Sequence, residues 1–219
     1  MIVIGHRGCT LQYPENTIEA VRQCAPHVDM IEIDVLRCGS GELIAFHDES
    51  LERVTGLDAP VAETDWETIR DLEVFDTGAR IPRFDDLLAE WPDSVGLNLD
   101  VHEPGIVPEA VPAAADRIGE VLLSTTEVDV LGEYDETTVD ARCGLSFYRN
   151  VDENIDRAAA RGCDFVHVPY QLCLETDLVD AAHDAGLSVD AWTVESGEDV
   201  EALRSVGVDA VTVDRWDVC

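Results

Sequence analysis

Leu187-Ser-Val-Asp-Ala-Trp-Thr-Val-Glu-Ser-Gly-Glu-Asp-Val-Glu-Ala-Leu-Arg-Ser-Val-Gly-Val-Asp-Ala-Val-Thr-Val213 contains a strand, a helix and a second strand in 27 residues. The β-rich run 187–193 gives way to an amphipathic stretch, Gly197 to Val206, then to Gly207 and the apolar run 209–213. Strand, helix, strand in that order is the unit of a parallel sheet. The same grammar extends backwards. Apolar runs at 143–148 and 164–168 alternate with amphipathic stretches Val151 to Arg161 and Thr176 to Ala185, and Gly162 and Gly186 stand just past them. Further back lie strand-like runs at 2–5, 30–34, 96–101 and 120–124, with helical stretches Glu15 to Cys24, Phe84 to Trp91 and Pro108 to Ile118. Eight strand-like runs interleaved with helices predict a (β/α)8 TIM barrel, with a doubly wound open sheet as the competing architecture.

One run, Leu43 to Phe46, does not fit this alternation. The linker Arg37 to Glu42 is too short for a parallel crossover, so a β-hairpin extension after strand two is expected, with Ser40-Gly41 as its turn. Such a two-residue loop pairs Gly39 with Glu42 and sets His47 opposite Asp34; a longer loop shifts that register. Residues 49–95 are read as a small cap beside the barrel mouth, and residues 1–219 as one domain.

Composition bounds the function. The chain has 219 residues, 46% hydrophobic, enough for one large core, with 47 Asp plus Glu against 14 basic residues and a net charge of −33. Every basic residue is Arg; Lys is absent. That balance opposes nucleic acid as a partner. The acids are spread over surface helices, as in Glu63 to Glu67, Glu133 to Glu136 and Glu195 to Glu201, so an acidic tail is excluded and adaptation to a salt-rich cytoplasm is expected. No 18-residue apolar run exists, and Met1-Ile-Val-Ile lacks the basic flank of a signal peptide, which argues for a cytoplasmic protein without an integral membrane segment. Seven cysteines in no C-x-x-C pair read as reduced, buried thiols.

The residues that end these runs carry the chemistry. Glu32 and Asp34, two apart on a strand, leave one face together, and like charges that close call for a cation unless they merely decorate an acid-rich surface. Asn98, Asp100 and His102 alternate along a later strand and offer Asp100 as a third oxygen ligand, a set suited to Mg2+ or Ca2+. His6 and His47 are the acid and base, since imidazole exchanges protons near neutral pH. Arg7 has the planar fork that suits phosphate, with a salt bridge to one of the many acids as the alternative. In Pro14-Glu-Asn-Thr17, Asn16 or Thr17 is able to cap a helix. His27, His167 and His183 are read as structural, with His167 open to facing the barrel interior.

Gly5-His-Arg-Gly8, Pro14-Glu-Asn-Thr17, Ile31-Glu-Ile-Asp-Val35, Phe46-His-Asp48 and Ala191-Trp-Thr-Val194, in this order, resemble the glycerophosphodiester phosphodiesterase family. Arg53-Val-Thr-Gly56, Ile81 to Leu88 and Gly207 to Asp214 resemble its connecting and closing segments. The resemblance implies a (β/α)8 barrel, His6 and His47 as acid and base, Glu32 and Asp34 as ligands of one divalent cation, and Arg7 on phosphate. It implies metal-dependent hydrolysis of a small glycerophosphodiester to an alcohol and glycerol phosphate, with Trp192 against the glycerol carbons or in the core. Two departures stand out. Asp100 and His102 occupy positions where the family has Glu and then Lys, so the third ligand is one methylene shorter and the cation beside the phosphate becomes titratable. Ser124-Thr-Thr126 also lacks the aromatic expected after that serine. The alternatives are a related phospholipase acting on lysolipid or ether-lipid headgroups and a catalytically silent barrel that binds a phosphorylated ligand. The sequence names neither the headgroup nor an oligomeric state.

Overall fold

Alternation along the strands separates two environments, one inside a closed sheet and one beneath the surrounding helices. The structure is a computed structural model and describes residues 1–135, 139 and 141–219. Glu136, at the end of the acidic run noted above, lies outside them. Among the described residues there are nine strands: β1 (Ile2–Gly5), β2 (Met30–Arg37), β3 (Leu43–Ala45), β4 (Gly96–Asp100), β5 (Val121–Thr125), β6 (Arg142–Ser146), β7 (Phe165–Pro169), β8 (Ser188–Val194) and β9 (Ala210–Val213). Eight pair in parallel in the order β1-β9-β8-β7-β6-β5-β4-β2, and β2 returns to β1 through Ile4↔Met30 and Gly5↔Ile31, closing the barrel. The eight expected runs all appear, and the open sheet is excluded by that closing pair.

Outward residues such as Ile31, Ile33, Leu97, Leu99, Leu123, Leu145, Val166, Val189 and Val211 are buried against the helices in the main core. Inward residues divide by depth. At the N-terminal end Ile4, Met30, Leu122, Phe165 and Ala210 form an apolar plug. Two residues further along the same strands stand Glu32, Ser124, His167 and Thr212, all buried and polar. A barrel whose interior turns polar towards the strand C-termini places its chemistry at that end.

Helices Val151–Ala160, Leu178–Asp184 and Gly197–Ser205 return the chain between the last four strands, each stopping two residues before Gly162, Gly186 or Gly207. Among the described residues four further α-helices lie outside the six expected stretches, Glu52–Thr55 and Trp66–Ile69 within residues 49–95, and Val128–Asp135 and Tyr170–Glu175 between barrel strands.

The hairpin forms, but its register corrects the expected one. Antiparallel β3 pairs with β2 as Val35↔Ala45, Leu36↔Ile44 and Arg37↔Leu43, so Phe46, whose N–H donates to Asp34 O at 3.1 Å, and not His47, lies opposite Asp34. The loop is three residues, closed by Cys38 N–H to Glu42 O at 3.0 Å. Its cause is a tertiary contact. Gly39 donates to Thr64 O at 2.9 Å instead of pairing with Glu42, and a Cβ at Gly39 would come within 2.9 Å of the Glu63 and Thr64 backbone. Residues of the 49–95 segment, among them Leu51, Val54, Val61, Ile69 and Val74, share a second hydrophobic cluster with Ile44 and Phe46 of the hairpin.

Candidate active site

Closure of the barrel brings the ends of distant strands together. Gly5 pairs with Val213, so the next residues, His6 and Asp214, meet: His6 Nδ1 lies 2.6 Å from Asp214 Oδ1. His47, just beyond the hairpin, makes the same kind of contact with its own neighbour, Nδ1 to Asp48 Oδ1 at 2.6 Å. A carboxylate on Nδ1 fixes ring and tautomer and leaves Nε2 to exchange a proton. Burial lowers the pKa of His6, but the hydrogen bond to Asp214 and the charge of Glu32 outweigh it and raise the pKa above 6.5.

Asp48 is itself held. Arg53 Nε donates to its Oδ2 at 2.5 Å, and the same guanidinium reaches Glu15 from Nη1 and Nη2 at 2.9 and 2.7 Å. Burial opposes the ionised form of Asp48, yet Arg53 and His47 overcome it and hold the pKa at about 2. Glu15 behaves alike: burial works against its charge, and Arg53 and Arg7 keep its pKa below the usual value.

Glu32, Asp34 and Asp100 each place a carboxylate oxygen within 4.8 Å of the others. Strand spacing explains it: Glu32 pairs with Asn98 and Asp34 with Asp100 across β2 and β4. The shorter Asp100 therefore still reaches the cluster. Asp34 Oδ1 and Asn98 Oδ1 are buried with no hydrogen-bond partner. Burial and the neighbouring Asp34 push the Glu32 pKa up to about 8. Buried acids, two unpartnered oxygens and an all-oxygen donor set fit a hard divalent cation.

Two cations of the chain border this cluster. Arg7 Nε lies 3.1 Å from Asp34 Oδ2 and its Nη1 3.2 Å from Glu15 Oε1, while its backbone N–H donates to Glu32 Oε2 at 2.7 Å. Arg7 is thus ion-paired, the alternative the sequence offered, and it also lines the cavity. His102 Nε2 is 2.7 Å from Asp100 Oδ2 and its Nδ1 3.0 Å from Thr126 Oγ1. Burial lowers its pKa, but Asp100, with Asp34 and Glu32 behind it, lifts it to about 9, so the ring is cationic at neutral pH. Burial likewise opposes the charge on Asp100, and His102 and Ser124 outweigh it, holding its pKa below the usual value.

In the Pro14–Thr17 segment the work is divided. Thr17 caps the helix Ile18–Cys24 by accepting from Ala20 N–H at 3.1 Å, while Asn16 donates Nδ2–H to Asp34 Oδ2 at 2.8 Å. His6, Arg7, Glu32, His47, Asp100, His102 and Trp192 line one cavity of about 230 Å3, and Asp34, not itself a lining residue, is ion-paired to Arg7. Tyr148, edge-on to Trp192 at 5.0 Å between ring centres, supplies the aromatic wall that Ser124-Thr-Thr126 lacks. Sequence reasoning did not single out Tyr148, Asp214, Glu15 or Arg53. For Asp214 a signal existed, because it follows the last strand as His6 follows the first.

A model of the glycerophosphoryl diester phosphodiesterase family matches residues 6–218. A glycerophosphodiester phosphodiesterase of Caldanaerobacter subterraneus subsp. tengcongensis is 28% identical, over 97% of this chain and 93% of its own length. An Oleispira antarctica phosphodiesterase, solved in complex with the product sn-glycerol-3-phosphate, superposes with a TM-score of 0.89 at 22% identity, covering 100% of this chain and 95% of that one. The Thermotoga maritima glycerophosphodiester phosphodiesterase superposes at 0.85 with 23% identity, over 99% and 96% of the two chains. These superpositions carry the fold.

Proposed function

The chain belongs to the glycerophosphoryl diester phosphodiesterase family, and from that premise we propose that it hydrolyses glycerophosphodiesters to an alcohol and glycerol phosphate by metal-assisted, two-histidine acid/base catalysis. One observation supports the reading above others. Two histidines, each with Nδ1 committed to an aspartate, line the same cavity as the Arg7 guanidinium and as Glu32 and Asp100 of the three-carboxylate cluster.

Glu32, Asp34 and Asp100 would hold one divalent cation, Mg2+ or Ca2+, which when bound supplies Lewis-acid stabilisation of charge on the phosphoryl oxygens. Arg7 and protonated His102 present positive charge to the same oxygens. One histidine takes a proton at Nε2 from the nucleophile, water or a neighbouring glycerol hydroxyl, and the other returns a proton to the leaving alcohol oxygen. Attack by the hydroxyl would give a cyclic phosphate, hydrolysed in a second round of the same proton transfers. Trp192 and Tyr148 pack against the glycerol carbons.

The setting follows from charge. An all-Arg, net −33 surface suits a salt-rich cytoplasm, and six of the seven free cysteines are buried, as suits a reducing compartment. Among the described residues no helix is long and apolar enough to cross a membrane. Residues 49–95 are read as a cap within a single barrel domain.

The test is release of glycerol phosphate from a panel of glycerophosphodiesters in molar KCl, with Mg2+, Ca2+ or chelator, for wild type and His6→Ala. Turnover that needs the cation and drops by several orders of magnitude in the variant is expected. Turnover insensitive to chelator, or retained by His6→Ala, would refute the mechanism.

A further inference from the structure

Beside the catalytic cavity the barrel mouth opens into a second groove of about 620 Å3. His102, Thr126, Ser146 and Tyr148 line both spaces, so a ligand held in one can extend into the other. The outer wall is built by the residues that follow β6. Phe147 is buried in the main core and its N–H donates to His167 O at 3.0 Å, which anchors the turn. Tyr148 and Arg149 are then left exposed at the rim, and the helix Val151–Ala160 adds Asn154 and Arg157. Asn154 ties this wall together: its Nδ2–H donates to Arg149 O at 2.9 Å, and its Oδ1 accepts from Arg157 Nη1 at 3.0 Å.

The charge of the groove runs against that of the chain, which has 47 acids and 14 arginines. Glu32, Asp100 and Asp190 line the catalytic cavity, Glu19 and Asp86 a groove beside the first helix, and Glu42, Asp85 and Glu109 one beside the hairpin. No carboxylate lines the outer groove, whereas two arginines do. Among the described residues the Arg149 guanidinium has no acid or hydrogen-bond partner; the same holds for Arg117, which lines none of these spaces. Arg157 keeps a contact with Glu153 Oε1 at 2.8 Å, an exposed pair one helical turn apart, and pairs of that kind are weak. Glu153 lies outside the lining, as does Glu127, which accepts from Thr126 Oγ1 at 3.2 Å. A net charge of −33 repels anionic ligands from most of the surface, so an acid-free groove with an unpaired guanidinium is where one would be accepted.

Size assigns the groove to one arm of the substrate. At about 230 Å3 the catalytic cavity is small for a whole ligand, since binding pockets start at about 300 Å3. A glycerophosphoryl unit between the carboxylate cluster and Trp192 fills it. The leaving alcohol therefore extends past His102 and Tyr148.

Resting on the phosphodiesterase reading above, we propose that the outer groove is a headgroup subsite for alcohols carrying a second anionic group, a phosphate or a carboxylate, held by Arg149 and Arg157. The two guanidinium groups donate to its oxygens, and Tyr148 covers the carbons between it and the scissile phosphate.

Two substrate pairs isolate the charge: glycerophosphoglycerol phosphate against glycerophosphoglycerol, and the 4-hydroxybutyrate diester of glycerol phosphate against its 4-hydroxybutyramide isostere. In Arg149→Gln the anionic-to-neutral ratio of kcat/KM should fall by about 5- to 10-fold in 0.5 M KCl and by less in 3 M, where screening weakens the contact. The pair that responds more tells phosphate from carboxylate. Arg149→Glu should turn the preference towards glycerophosphocholine. Arg117→Gln removes the same charge away from the groove and should leave the ratios where they are. Ratios unchanged by Arg149→Gln in both pairs would overturn the proposal, even if inorganic phosphate bound at Arg149, because the groove would then take a free anion and not the headgroup. A fall of the same size in Arg117→Gln would also overturn it, as a long-range effect of net charge. Calorimetric binding of the same pairs to His6→Ala with Mg2+ gives the ratios without turnover. An inactive wild type would sink the phosphodiesterase reading, while the binding ratios still decide this one.

Discussion

Replacing Glu32 by Gln should stabilise the metal-free protein at alkaline pH while it removes activity. Burial and Asp34 raise the Glu32 pKa from its ordinary 4.5 to about 8. A carboxyl whose folded-state pKa lies above its unfolded value costs nothing below the unfolded pKa, costs progressively more as pH rises between the two, and costs its full amount above the folded one. From 4.5 to about 8, at about 1.4 kcal/mol per pH unit, the ceiling is about 5 kcal/mol. Asp34 and Asp100 share this charge and the cluster is free to relax, so about 2 kcal/mol is the expected size. Gln keeps the volume and an oxygen to accept from Arg7 N–H, now at 2.7 Å, so packing and backbone pairing persist. The assay is denaturant unfolding in chelator at fixed high KCl for both proteins at pH 5, 7 and 9. Little difference is expected at pH 5, with the variant increasingly the more stable up to pH 9. A gap that is the same at pH 5 and pH 9 would refute the charge argument, because a packing change carries no pH dependence.

The remaining predictions concern orientation and charge. Asp214→Asn removes the hydrogen-bonded carboxylate that raises the His6 pKa, so the His6 titration followed by NMR should move to lower pH, with kcat falling by at least about 100-fold; an unmoved titration would deny the pairing. Raising KCl from 0.1 to 2 M should increase Tm by about 10 °C, at about 2–4 °C per kcal/mol for a chain of this size, through screening of the net −33 charge; a Tm independent of salt would remove the case for adaptation to a salt-rich interior.

The parts of the fold that were legible are those that local pattern controls. Alternation of strand and helix located all eight barrel strands, because each must hide an outward row such as Ile31 and Ile33 under a helix. Spacing by two placed Glu32 and Asp34 on one face for the same reason, and the hairpin was required by a linker too short to cross over. The one-residue register error had a non-local source: Gly39 spends its N–H on Thr64, a residue of the cap, and no pattern within the hairpin records that contact. Thr17 and Asn16 show the same boundary at smaller scale. The cap was written in the local sequence, whereas the reach of Asn16 to Asp34 depends on β1 and β2 being neighbours.

Closure of the barrel is the step that converts such local readings into a site. Once strand one and the last strand are known to be adjacent, Gly5 faces Val213 and the residues that follow them must meet, so the His6–Asp214 pair is a consequence of topology and needs no further information. The same reasoning applied around the ring sets Asp34 beside Asp100 and His167 beside Asp190, both of which the register confirms. Residues outside the strands escape it. Tyr148 and Arg53 lie beyond strand ends, where register fixes nothing, and each is placed by its partner: Tyr148 by Trp192, and Arg53 by Asp48 and Glu15. The polar interior of the barrel is therefore deducible from strand order and spacing, while the wall and rim that decide which headgroup enters depend on contacts that only the folded chain contains.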